Sequence, residues 1–185
     1  MILVLSGSPR RGGNTDYVCS VLVREFESMG LEARFYRVAD YRVEPCRSCR
    51  LCLSRGSCVI DDDMTRLFYR ELLDSKAIVV ASPVYFNSVP AQLKAFIDRT
   101  WCLRGRLRNK IGGVVVVGRR YGHEQAVNTL LSFMLKHEMI IGMRGVCVYA
   151  YGRGEAEKDV DGIRDVVKLA RRVHELLKLG FTKHF

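Results

Sequence analysis

Three stretches of this chain are apolar with almost no interruption: Met1–Ser6 (MILVLS), Ala77–Ser82 (AIVVAS) and Ile111–Gly118 (IGGVVVVG). A strand with one wet face alternates apolar and polar residues, so runs like these belong to strands covered on both sides, as in a parallel sheet between two layers of helices. The intervening segments carry helical spacing. Asn14 and Thr15 are placed to cap a helix bearing Val18, Leu22 and Phe26, with Gly30 past its end. Further helices are expected from Asp63 (Leu67, Leu72), over Pro90–Trp101, over Glu124–Glu138, and in a last segment carrying Ile163, Val166, Val167, Ala170, Val173 and Leu177. Leu31–Val38 and Ile140–Tyr149, the latter broken by Gly142 and Gly145, complete five strands.

Strand and helix in alternation imply right-handed crossovers and an α/β fold: a doubly wound five-stranded parallel sheet of order 2-1-3-4-5, in three layers. A length of 185 residues suits one such domain spanning the chain, and 48% hydrophobic with 27% charged residues excludes long disorder. In that strand order the winding reverses between strands one and three. The crevice beyond their carboxyl ends is where such sheets bind ligands.

The loop after strand one, Ser6-Gly7-Ser8-Pro9-Arg10-Arg11-Gly12-Gly13-Asn14-Thr15, combines glycines, hydroxyls and arginines at a helix N-terminus. Glycines let backbone N–H groups approach closely, and a helix start offers unpaired donors, so the loop suits a phosphate better than it suits a plain polar turn. It lacks the G-K-[ST] of a nucleotide P-loop and the G-x-G-x-x-G of a dinucleotide site, which favours a terminal monophosphate. After strand three, Ser82-Pro83-Val84-Tyr85-Phe86-Asn87-Ser88-Val89-Pro90 braces an aromatic segment between prolines. It can wall a flat pocket for a planar ring, or its aromatics can simply fill core. Gly118 to Glu124 follows strand four and can close the crevice from the other side; His123 within it reads as catalytic or structural, the structural role being the commoner one.

Cys46, Cys49, Cys52 and Cys58 form C-x2-C-x2-C-x5-C, a loop at 45–62 between strand two and the next helix. Such spacing wraps several thiolates around one centre, and Arg47, Arg50 and Arg55 favour the thiolate form. The last gap is five residues where ferredoxins have three, and no proline follows. An iron–sulfur cluster, a structural zinc and free thiols all fit. Cys19, Cys102 and Cys147 fall in apolar patterns and are expected in the core. Asp61-Asp62-Asp63 reads as a helix cap, and His174 as part of the last helix's apolar stripe.

Together, Gly7-Ser8-Pro9-Arg10 with Asn14-Thr15, the cysteine run followed by Asp62-Asp63-Met64, Ser82 to Phe86 and Gly118 to Glu124 resemble the NADPH-dependent FMN reductase-like flavoproteins, and within them the iron–sulfur flavoproteins. The resemblance covers nearly the whole chain. It implies a flavodoxin-like fold and FMN, its phosphate on Ser8, Arg10, Asn14 and Thr15, its ring against Pro83, Val84, Tyr85 and Phe86, with Gly118 and Arg119 completing the pocket. It also implies a 4Fe-4S cluster on Cys46, Cys49, Cys52 and Cys58, and a homodimer or homotetramer in which a neighbour completes the flavin site. The activity implied is electron transfer through cluster and FMN from a donor such as ferredoxin to small acceptors. Without a cluster the implied activity is that of an NAD(P)H-dependent FMN or quinone reductase.

A formal charge of +10 and the stretch Arg104 to Lys110 raise a rival of another class, a nucleic-acid-binding or redox-sensing module. No recognition helix or RNA-binding signature accompanies the charge, so steering of an acidic electron donor is the preferred reading. No apolar run is long enough to cross a bilayer, and Met1 leads directly into strand one; with an odd count of seven cysteines, the expectation is a cytoplasmic chain with reduced or ligating thiols.

Overall fold

The computed structural model describes residues 1–180. β1 (Ile2–Ser6), β2 (Ala33–Arg37), β3 (Ala77–Pro83) and β4 (Ile111–Gly118) form a parallel sheet in the order β2-β1-β3-β4. The fourth strand's far edge is covered by two short pieces in place of one long strand: β5 (Ile140–Ile141) pairs with Ile111 and Gly112, and β6 (Val146–Tyr149) with Val115 to Gly118. Residues 142–145 bulge between them, at the two glycines where an interruption was expected. With β5 and β6 counted as one broken strand, the order is the expected 2-1-3-4-5.

The apolar runs behave as double-sided strands must. Ile2, Val4, Val79 and Val115 face a layer made by α1 (Asn14–Ser28) and α6 (Val160–Lys178), where Leu22, Phe26, Val166 and Val173 are buried. Their neighbours Leu3, Leu5, Ile78 and Val80 face the other way, onto Phe68, Leu93, Phe96 and Leu130. That second layer comprises a π-helical turn (Met64–Phe68) running into α3 (Tyr69–Asp74), then α4 (Ala91–Arg99) and α5 (His123–Lys136). One further helical turn, α2 (Cys52–Arg55), lies inside the cysteine loop.

Three expectations change in detail. Gly13, not Asn14 or Thr15, is the N-cap of α1, and no side chain among the described residues caps that helix; Asn14 and Thr15 are its first two residues. Cys19 is buried as expected, but Cys102 and Cys147 are only partly so. Asp62 does cap the helical turn through the Met64 amide (3.1 Å), yet it is also fully buried in an ion pair. Among the described residues no helix is long and apolar enough to cross a membrane.

Candidate functional site

The loops after β1, β3, β4 and β6 meet over the carboxyl ends of the strands around a cavity of about 360 Å³. Ser8, Arg10, Gly13, Asn14 and Thr15 line one end; Pro83, Val84 and Tyr85 line a second side; Val117, Gly118 and Arg119 the floor; Ala150, Tyr151 and Gly152 the remaining wall. Nine of the ten residues expected from sequence are therefore brought together. Phe86 is the exception.

The Ser8 end is built as an anion cradle. With no side-chain cap on α1, the first-turn amides of Asn14, Thr15 and Asp16 have no helical acceptor, and the helix dipole favours negative charge there. Ser8 Oγ accepts from the Arg10 amide (3.1 Å), which curls the loop, and Ser6 Oγ donates to Asp16 (2.9 Å). Asp16 also accepts from the Gly12 amide (2.7 Å) and pairs with Arg37 at 2.6 Å; that carboxylate, the leading cause, raises the Arg37 pKa. The cradle is thus braced from β2. The Arg10 guanidinium makes no hydrogen bond or ion pair among the described residues and is free for a ligand.

Asn14 and Arg119 are engaged differently from the expectation. The Asn14 amide donates to the Gly152 carbonyl (2.7 Å) and its oxygen accepts from the Ala156 amide (3.2 Å); Arg119 Nε donates to the Tyr151 carbonyl (3.1 Å). Both hold the loop after β6 against the cavity. Glu155 completes this loop by accepting from the Gly152 and Tyr151 amides (2.6 and 3.0 Å), bonds that keep its pKa below the ordinary carboxylate value. Sequence reasoning missed this wall. Its only signal was a Gly-Arg-Gly-Glu turn following a short strand.

On the β3 side, Tyr85 and Ser88 exchange backbone hydrogen bonds (2.8 and 2.9 Å) around a two-residue tip in which Phe86 and Asn87 have φ of 46° and 61°. A phenylalanine in the left-handed region is strained, and here it is held fully in solvent. It neither fills core nor lines the cavity. Behind the floor, a Cβ on Gly118 would stand 2.8 Å from His123 Cε1 and from Val84 Cγ2, so only glycine fits. His123 is buried, with Nε2 3.3 Å from the Val148 carbonyl and its ring against Tyr149, behind the floor of the cavity and outside its lining.

The cysteine loop stands apart from the cavity. Its feet are joined where the Asp63 amide donates to the Arg42 carbonyl (3.1 Å) and the Arg42 amide to Asp63 (2.8 Å). Left-handed Ser48, Arg50 and Gly56 bend it tightly. Cys46 and Cys49 are exposed, and Cys52 and Cys58 partly buried. Among the described residues no three His, Cys, Asp or Glu side chains are gathered for one metal ion. The donor set nonetheless has the right chemistry, and at the feet of the loop, where Arg99 binds Glu44, Ile60 and Asp62, lies a buried N–H that has no acceptor among the described residues, Arg99 Nε. The basic stretch is partly structural: Lys110 Nζ turns inward to the Leu73 and Ser75 carbonyls, Arg108 pairs with Glu138, and Arg104 lies over Trp101.

The family model of NADPH-dependent FMN reductase matches residues 1–152, a span holding the cysteine loop and every residue that lines the cavity. An iron–sulfur flavoprotein of Methanocaldococcus jannaschii is 34% identical over 189 residues, covering 96% of this chain and 97% of that protein. Among solved structures, RosB with a bound 8-demethyl-8-formylriboflavin-5'-phosphate intermediate superposes with a TM-score of 0.76 at 16% identity, covering 98% of this chain and 82% of that one. Oxidised flavodoxin 2 of Bacillus cereus gives 0.68 at 15% identity, covering 94% and 97%. These two structural likenesses speak for the flavodoxin-like fold, and the sequence matches for descent: the chain belongs to the NADPH-dependent FMN reductase family of flavin-dependent oxidoreductases.

Proposed function

We propose that this chain binds FMN in the cavity at the ends of β1 and β3, carries a 4Fe-4S cluster on Cys46, Cys49, Cys52 and Cys58, and moves electrons from a donor such as ferredoxin to small acceptors. The observation that carries the flavin reading is the cradle itself, where an uncapped 15-residue helix, the free Arg10 guanidinium and the Ser8 hydroxyl converge on one end of a cavity walled by Pro83, Val84 and Tyr85. FMN when bound supplies hydride and single-electron chemistry, and the cluster supplies a one-electron relay. The chain's own part is to hold and to orient. Ser8, Arg10, Thr15 and the helix amides take the phosphate; Pro83, Val84 and Tyr85 flank the ring; Asn14, Gly118 and Arg119 keep the floor and the β6 wall in place. The donor is oxidised, and a quinone, oxygen, peroxide or free flavin is reduced by the same electrons.

The exposed Phe86 on its strained tip is the group that a neighbouring subunit would cover, which supports a homodimer or homotetramer. The four thiols lie ungathered among the described residues, and that favours a second reading, an NAD(P)H-dependent FMN or quinone reductase without a cluster. Reduction of the anaerobically purified protein separates them. Bleaching of an iron–sulfur absorbance by reduced ferredoxin supports the first, whereas flavin bleaching by NAD(P)H in iron-free protein supports the second.

A further inference from the structure

The buried ion pair of Arg99 and Asp62 has no part in the flavin cavity. Both side chains are fully buried, a costly place for charges unless every donor and acceptor is used. Arg99, the last residue of α4, uses four of its five N–H groups on residues near one another in space but far apart in sequence. Nη1 donates to Asp62 Oδ2 (2.7 Å) and to the Glu44 carbonyl (2.8 Å); Nη2 donates to Asp62 Oδ1 (3.0 Å) and to the Ile60 carbonyl (3.2 Å). Asp62 in turn accepts from the Glu44 amide at 2.9 Å. Residues 44 and 60–62 are the two feet of the cysteine loop, so one guanidinium ties both feet to each other and to α4.

The fifth N–H, on Nε, is buried and has no acceptor among the described residues. Buried donors without partners are rare, and one at the feet of a loop that carries four thiols points to a missing acceptor. Cys58 is the candidate: it is partly buried against the core layer that holds Phe96 of α4, and it stands two residues before Ile60, whose carbonyl already accepts from Arg99 Nη2. We infer that Arg99 is the positioning residue of the cysteine loop, its four Nη hydrogens locking the loop's feet to α4 and its Nε–H held for the Cys58 thiolate when the loop takes up iron. The first half stands whether or not the loop carries a cluster. The second rests on the cluster reading proposed above.

Lysine keeps the charge but has no planar fork, so Arg99→Lys cannot bridge Glu44, Ile60 and both oxygens of Asp62. In full-length metal-free protein loaded with FMN, Arg99→Lys and Asp62→Asn are expected to speed hydrogen exchange across residues 44–62 by about tenfold or more while FMN affinity changes by less than about twofold. In iron-loaded protein, Arg99→Lys lowers the potential of the iron centre, because a hydrogen bond to its sulfur is lost. Should the variants fail to fold, the wild-type Arg99 Nε–H resonance gives the same answer: it shifts on loading the loop with cadmium, and Cys58→Ser abolishes the shift. Unchanged loop exchange in both variants would overturn the anchoring. An unmoved Nε–H resonance or potential, or a wild-type protein that takes up no iron, would overturn the role toward Cys58 and leave the exchange result to decide the rest.

Discussion

Gly118→Ala is a small change with a calculable cost. The position has no need of a left-handed backbone, so alanine meets no φ penalty and the whole effect is steric. The added Cβ would lie 2.8 Å from His123 Cε1, 2.8 Å from Val84 Cγ2 and 2.9 Å from His123 Nε2. His123 is buried with its ring against Tyr149, so the relief comes mainly from Val84 moving into the cavity it lines. Overpacking of this kind costs about 2 kcal/mol. For a domain of this size each kcal/mol is worth about 2–4 °C, so Tm falls by about 4–8 °C. Displacing the wall also weakens FMN binding, by about tenfold if ~1.4 kcal/mol of the strain is felt there.

Two comparisons isolate the cause. Val84→Ala added to Gly118→Ala restores room, and the pair is expected to be more stable than the sum of the single changes by about 1 kcal/mol. Gly30→Ala, at φ of 74° with nothing within 4 Å of the new Cβ, costs backbone strain but leaves FMN affinity alone. Thermal unfolding and titration of flavin fluorescence read both quantities. Wild-type stability and affinity in Gly118→Ala would refute this account of the floor.

Arg10→Ala should raise the Kd for FMN by about 10- to 100-fold, the value of a charge-assisted hydrogen bond, and leave riboflavin binding unchanged; equal losses for both ligands would take the phosphate away from this loop. Phe86→Gly relieves a left-handed phenylalanine and should stabilise the isolated chain by about 1 kcal/mol while weakening self-association; tighter association measured by sedimentation would contradict the exposed-tip reading. Burial by itself would raise the Asp62 pKa, but hydrogen bonds from Arg99 and from the Glu44 amide outweigh it and hold the group below its ordinary value. A depressed carboxylate contributes stability above its unfolded pKa of about 4 and loses it as pH falls through the folded one, so the cysteine loop should gain hydrogen exchange only in that acid range. In Asp62→Asn that acid step should be missing.

Much of the scaffold was legible because each central strand is buried on both faces, which writes MILVLS, AIVVAS and IGGVVVVG as unbroken apolar runs. The break at Gly142 and Gly145 was legible because an isolated glycine in a strand pattern marks a bulge or a close approach, and here an added Cβ would collide with Leu176 at Gly142 and with Val127 at Gly145. The cradle residues also stood out, since Gly, Ser, Asn and Arg between a buried strand and a helix have few other uses. What escaped depends on contacts between segments far apart in sequence. Asn14 looked like a cap, yet its amide is drawn to Gly152 across 138 positions of chain. Arg99 reads as an ordinary charge at the end of an amphipathic helix, and only the folded chain shows it buried beneath Glu44 and Asp62. Phe86 was expected against the ring; local turn geometry at Tyr85–Ser88 points it outward instead.

The most direct test of the central claim is an ultraviolet–visible spectrum, with iron and acid-labile sulfide assays, on protein purified without oxygen. Flavin bands together with about four irons and four sulfides per chain are the expected result. A protein that shows no flavin even after incubation with FMN would contradict the account at its base.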